Sequence, residues 1–227
     1  MTDVAPLSFT AAEVRVLAAL AEKEATVPDI YPLTLNALVS SCNQTSARDP
    51  VVDFAPREVE ATLAALKAKG LARYVHPSHG GRTTRYRHTL DEVFSLDRGG
   101  LALLAMLMLR GAQTAAELRS RAERSHRFQS VGDAEATLRA LAEREPPLVA
   151  DVPRQPGQKE GRWVHLLSGP PDLEAVARAA PPTAGGSGSA RHDRVGQLEA
   201  DVRRLQAAVD HLYRLLDAGE PPGDGEG

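Results

Sequence analysis

The chain has 227 residues, a net charge of −3 at pH 7, 42% apolar residues, only 4% aromatic residues and a single cysteine. That length supports one or two domains with real cores. So little aromatic surface leaves Leu, Val and Ala to fill them, which suits packed helices better than a β-sandwich. The weakly acidic total argues against a protein coated in positive charge.

The charge is uneven. Residues 1–168 carry 21 Lys and Arg against 20 Asp and Glu, and residues 169–227 carry 6 against 10. The body is close to neutral and the tail is acidic. A lone Cys42 excludes an internal disulfide framework, and no neighbouring His or Lys activates its thiol. The opening MTDVAPLSFTAAEV lacks the basic and apolar regions of a leader. No apolar run reaches the ~18 residues that a membrane span needs. A cytoplasmic location is the expectation.

Thr10 and Glu13 form a capping box that opens a helix over residues 10–23, with Val14, Leu17 and Leu20 inward. Pro28 and Pro32 mark a connector, and residues 33–43 read as a second helix. The polar stretch QTSARDPVVDFA links it to a third, PREVEATLAALKAKG, which has proline at its first turn and a glycine stop. Val59, Leu63 and Leu66 share one face of that helix. After Gly70 the period drops to two, a Gly-Gly turn follows, and an extended run resumes from Thr84 to His88. Helix, strand, glycine turn and strand are the plan of a winged helix.

Residues 90–100 read as a short junction. Residues 101–109 start a helix that is apolar almost all round, hence buried between units. Thr114 and Ser130 open two more helices. Residues 148–152 and 163–167 are strand-like. The order repeats that of the first half, and Glu60-Ala-Thr-Leu-Ala-Ala-Leu66 recurs as Glu135-Ala-Thr-Leu-Arg-Ala-Leu141. The expected fold is mainly α with small β wings: one winged helix at 8–90 and a second at 91–168. A Pro/Gly/Ser-rich linker at 169–194 follows. In the segment 195–217, Val195, Leu198, Val202, Leu205, Val209, Leu212 and Leu216 alternate spacings of three and four. Val at a with Leu at d favours a two-stranded coil, so a homodimer through this helix is expected, the alternative being a helix packed back on its own body. Residues 218–227 are expected to be disordered.

Three stretches, EKEATVPDIYPLTLNALVSSCNQ, LRGAQTAAELRSRAER and GRWVHLL, resemble those of the bacterial YceH-like family, a family of unknown function. The resemblance covers about residues 8–168 and rests most on Tyr31-Pro-Leu, Asn36, Cys42-Asn-Gln and Leu109-Arg-Gly-Ala-Gln-Thr114. It implies a tandem winged-helix fold. It implies no activity and no catalytic residues.

Between Ala61 and Leu90 there is no Asp or Glu, while Lys67, Lys69, Arg73, Arg82, Arg85 and Arg87 fall in that window. Such a patch attracts phosphate backbones. The exposed faces of the third helix in each half mix carboxylates with alanine, a poor surface for reading bases. DNA contact is therefore expected through backbone phosphate, with Lys67, Arg73, Arg82, Arg85 and Arg87 on the first wing and Arg119, Arg121, Arg124 and Arg127 on a second basic link. The alternative is a protein partner docked on the winged helices and tail. No catalysis, cofactor or metal is expected. His76, His79 and His88 lie on a turn-prone stretch without Cys or carboxylate to complete a metal set, and the chain holds no nucleophile triad or glycine-rich phosphate loop.

Overall fold

The computed structural model describes residues 8–76, 83–154, 160–171 and 173. These belong to the unit spanning residues 1–181, and residues 182–227 form a separate unit. The linker and the heptad segment lie almost wholly outside the described residues, and the seven heptad positions from Val195 to Leu216 entirely so.

The described residues are mainly α with small antiparallel sheets. Helix α1 (Ala11–Thr26) is followed by a 3-10 turn, a two-residue strand β1 (Leu33–Thr34), α2 (Leu35–Cys42) and α3 (Pro56–Ala68). A hairpin of β2 (Ala72–Val75) and β3 (Arg85–His88) comes next, then the short α4 (Leu90–Val93). The second half runs α5 (Arg98–Arg110), α6 (Ala115–Ala122), α7 (Val131–Ala142), β4 (Val149–Val152) and β5 (Arg162–His165). The first sheet has the order β1-β3-β2, and β4 pairs with β5 alone.

Local chemistry sets the helix starts. Thr10, Thr114 and Ser130 each accept the amide of the residue three positions on, and that residue's carboxylate accepts the cap amide in return. At α3 the cap is an alanine, so only Glu58 contributes, accepting from the Ala55 amide at 2.8 Å, with Pro56 at the first position. Val59, Leu63 and Leu66 are fully buried, as their spacing requires.

The core lies where α1 packs on α5. Val16, Leu17, Ala18, Ala19 and Leu20 are enclosed on α1, and Leu103, Leu104, Leu107 and Leu109 on α5. Both helices are buried nearly all round, because each also carries the other elements of its own half. The N-terminal segment joins the halves again: the Phe9 amide donates to the Leu167 carbonyl at 2.8 Å.

The halves repeat bond for bond at their ends. Leu71 donates to Leu66 as Leu148 donates to Leu141, and Thr89 donates to Leu71 as Leu166 donates to Leu148. Leu33 pairs with Tyr86 on β3, and Gln113 pairs with Trp163 on β5. Thr34 and Thr114, the next residues, cap α2 and α6.

Two elements depart from the sequence reading. The second helix begins at Leu35, because Leu33 and Thr34 are drawn into the sheet by β3. The junction after His88 contains α4, a single turn with two acidic residues.

His165, at the end of β5, has its ring Nδ1 enclosed without a partner, and burial pushes its pKa down to about 4 from the usual 6.5. The unfolded chain therefore binds a proton that the folded chain refuses. Stability should fall as pH drops from about 6.5 towards 4, by up to about 3 kcal/mol. A His165→Phe variant, followed by urea unfolding across that range, should lose this part of the slope.

Candidate interaction surface

The hairpin register sets Ala72 opposite His88, Arg73 opposite Arg87, Tyr74 opposite Tyr86 and Val75 opposite Arg85. With a period of two, Tyr74, Tyr86 and His88 turn inward. The two tyrosine rings meet edge to face at 5.0 Å. Arg73, Arg85 and Arg87 turn outward together.

Like charges directly opposite across a ladder destabilise it. Glu92 on α4 relieves that repulsion. Its Oε2 lies 2.6 Å from Arg73 Nη2 and its Oε1 3.1 Å from Arg87 Nη2. Arg85 Nη1 instead donates to the Ile30 carbonyl at 3.1 Å and the Pro32 carbonyl at 2.8 Å. It has no carboxylate partner among the described residues. Of the three guanidiniums on this sheet face, Arg73 and Arg87 share one carboxylate and Arg85 has none among the described residues, so the face keeps a positive excess. Arg73 and Glu92 are well exposed, at 58% and 38%, so their pair is open to exchange with an external anion.

The other basic positions fall elsewhere. Lys67 stands 4.3 Å over the Tyr74 ring, a cation–π contact. Arg82 lies outside the described residues. Arg119 donates to the carbonyls of Phe128 and Gln129. Arg121 donates to Gln113 Oε1 at 2.7 Å and sits 3.6 Å from Glu117. These two arginines bind the link 123–130 and the α5–α6 turn to α6. Arg127 lies 3.9 Å from Glu123. Arg124 is exposed, with no ion pair among the described residues. The structure therefore gathers Arg73, Arg85 and Arg87 on one face, and it gives Arg119 and Arg121 internal work. Glu92 was missed by the sequence reading. The signal was the acidic pair Asp91-Glu92 immediately after the basic window.

The residues behind the family resemblance hold the backbone. Tyr31 Oη accepts the His88 amide at 2.9 Å. Asn43 clamps Phe54 from both sides, donating to its carbonyl and accepting its amide, each at 2.9 Å. Gln113 Nε2 donates to the carbonyls of Met106 and Gly111, which fixes the turn after α5. Replacing Tyr31 with Phe leaves the His88 amide without that acceptor, and the expected loss is about 1 kcal/mol in urea unfolding. Cys42 is buried, and burial pushes its thiol up to about 12 against the opposing pull of Arg15 and Arg48. It stays protonated and inert.

Among the described residues, no cluster of His, Cys, Asp or Glu could hold a metal ion, and no helix is long and apolar enough to cross a membrane. A family model described as "Protein of unknown function, DUF480" matches residues 9–158. The chain belongs to this family. It is 46% identical over 217 residues to a UPF0502 protein of Delftia acidovorans, covering 94% of each chain. It is 48% identical over 206 residues to a UPF0502 protein of Geobacter sulfurreducens, covering 90% of this chain and 93% of the relative. A UPF0502 protein of Chromobacterium violaceum is 47% identical over 207 residues, with 91% of both chains covered. These matches bear out the resemblance to an uncharacterised bacterial family. In this member of DUF480, Tyr31, Asn43 and Gln113 hold the fold, and Arg73, Arg85 and Arg87 share the outer face of the hairpin.

Proposed function

We propose that this DUF480 protein is a non-enzymatic tandem winged-helix protein of the cytoplasm that docks on the phosphate backbone of DNA through the outer face of its first hairpin. The observation that carries the reading is the set Arg73, Arg85 and Arg87 on one exposed sheet face, where Glu92 is the only carboxylate paired with any of them among the described residues. The repeated order of three helices and a hairpin supports the reading of two winged helices. Phosphate contact of this kind positions a protein without reading sequence, which agrees with the sparse outer face of α3, where Arg57, Glu60, Ala61, Ala64 and Lys67 are exposed. Dimerisation through the heptad segment belongs to the same reading and rests on the Val and Leu spacing alone.

A phosphate that enters this face takes the place of the Glu92 carboxylate. Fluorescence anisotropy with random-sequence duplex DNA tests this at two salt concentrations. Wild-type binding should weaken as salt rises, and Glu92→Gln should bind several-fold more tightly than wild type. A Glu92→Gln variant that binds no better removes the exchange from the account.

A second reading has its own observation. Ile30, Val75 and Val93 are 53%, 36% and 50% exposed. Val75 lies directly opposite Arg85, the Ile30 carbonyl accepts from that arginine, and Val93 adjoins Glu92. Arginine mixed with exposed aliphatic side chains suits a protein partner. Such binding would survive salt that removes DNA.

A further inference from the structure

Helix α4 has no side-chain cap from its own cap residue. The Thr89 hydroxyl donates instead to the Gly70 carbonyl at 2.6 Å. The last residue of β3 takes over the role: His88 Nδ1 accepts the Leu90 amide at 3.1 Å. A ring nitrogen that accepts carries no proton, so the neutral ring holds its proton on Nε2. Nε2 lies 2.7 Å from Glu24 Oε2 on α1, off the line of a hydrogen bond. The ring is fully enclosed, and so is Leu90. The charged and titratable groups around the ring are Glu24 from α1, Tyr31 from the connector, whose Oη accepts the His88 amide, Asp91 from α4, and Arg87 beside it on β3.

Asp91 supplies the second half of the arrangement. Its Oδ1 is enclosed with no donor, and it lies 3.6 Å from His88 Nδ1. Native proteins leave few such acceptors unsatisfied. A proton on Nδ1 reverses the pairing. Both ring nitrogens then donate, so Nδ1 and the Leu90 amide become two donors facing each other. Asp91 Oδ1 meanwhile gains the donor it lacks, in a charge-assisted bond. A buried amide without an acceptor is costly, so the single turn of α4 has to move. Glu92 belongs to that turn, and it is the carboxylate that holds Arg73 at 2.6 Å and Arg87 at 3.1 Å.

We propose that His88 is a proton-operated latch on α4: a solvent proton taken up at Nδ1 exchanges the Leu90 amide for Asp91 Oδ1, shifts α4 and withdraws Glu92 from Arg73 and Arg87. The hairpin face then has two states. Glu92 covers the arginines while His88 is neutral and leaves them open once it is charged. As a control on phosphate contact, the latch rests on the DNA reading above. As a movement of α4 it does not, and it is tested without DNA, so the two can fail separately.

The test is a pH titration of the isotope-labelled full chain by NMR, from about pH 8 to about pH 5, the range in which histidine changes charge. The His88 ring nitrogens report tautomer and proton, the Leu90 amide reports its acceptor, and the Arg73 and Arg87 Nε–H signals report Glu92. At the upper end the ring should show the Nε2–H tautomer. As Nδ1 takes its proton, the Leu90 amide proton should shift upfield, and both arginine signals should move towards their positions in Glu92→Gln, all with one midpoint. In Glu92→Gln itself the Leu90 shift should persist while the arginines no longer respond. In Asp91→Asn, which keeps the shape and removes the charged acceptor, the arginine shifts should be lost over this range. A ring that stays neutral down to about pH 5, a ring that charges while Leu90 or the arginines stay still, or an Asp91→Asn variant that responds as the wild type does overturns the proposal. Should Asp91→Asn fail to fold, the wild-type titration decides alone.

Discussion

Replacing Arg48 with methionine should lower the unfolding free energy by about 3–5 kcal/mol, the cost of leaving one partner of a buried ion pair alone. The Arg48 side chain is fully enclosed. Its Nη2 lies 2.6 Å from Glu22 Oε2, and Nη1 donates to Glu22 Oε1 at 3.2 Å. The same guanidinium donates to the Ser41 carbonyl through Nε and Nη2, to Gln44 Oε1 at 2.7 Å and to the Ala47 carbonyl at 3.0 Å. Methionine keeps most of the volume and removes every donor. Glu22 then faces Lys23 alone, at 3.5 Å. A double variant, Arg48→Met with Glu22→Gln, should recover part of the loss, because the uncompensated charge is gone. Urea unfolding of the three proteins measures both effects. A single variant within about 1 kcal/mol of wild type would mean that the pair adds nothing net.

The second large effect is Leu104→Ala. Leu104 is fully buried on α5, the helix that packs on α1. Leucine-to-alanine changes at such sites cost about 2–5 kcal/mol, more where the cavity cannot collapse. Collapse is hindered here, since α1 and α5 are each fixed by the other elements of their half. The destabilisation should reach residues of both halves, because they share this interface and the Phe9–Leu167 strap. Tryptophan fluorescence reports the second half through Trp163, and far-UV circular dichroism reports the whole chain. The two curves should shift together in the variant. A fluorescence transition that moves while most of the helical signal stays put would show halves that unfold apart.

Much of the fold was legible where the signal is local. The Val59, Leu63 and Leu66 stripe, the Thr10 and Ser130 caps and the all-apolar run of α5 follow from periodicity and from short-range hydrogen bonding, and they reappear as buried faces and helix starts. What escaped depends on distant partners. Leu33-Thr34 becomes a strand only because β3, some fifty residues later, offers a free edge. Arg48 reads as one polar residue of a loop until the fold sets it against Glu22, 26 positions earlier. The basic window was correctly seen to lack acid, but its boundary at Leu90 hid Glu92, which reaches back across Arg73 and Arg87. A window counts charge along the chain, whereas the field at a surface depends on what folds against it. The contact of His88 with Glu24 was out of reach for the same reason, since Glu24 comes from α1.

The salt dependence of DNA binding, compared between wild type and an Arg73→Ala, Arg85→Ala, Arg87→Ala triple variant, tests the central claim most directly. Three phosphate contacts correspond to a slope near −2.7 in log K against log salt, so wild-type affinity should fall roughly 40-fold between about 50 and 200 mM salt. The triple variant should lose nearly all of that slope and most of its affinity at low salt while keeping its thermal unfolding profile. A folded variant that binds duplex DNA with the wild-type slope would contradict the account, and so would a wild type that shows no binding at about 50 mM salt.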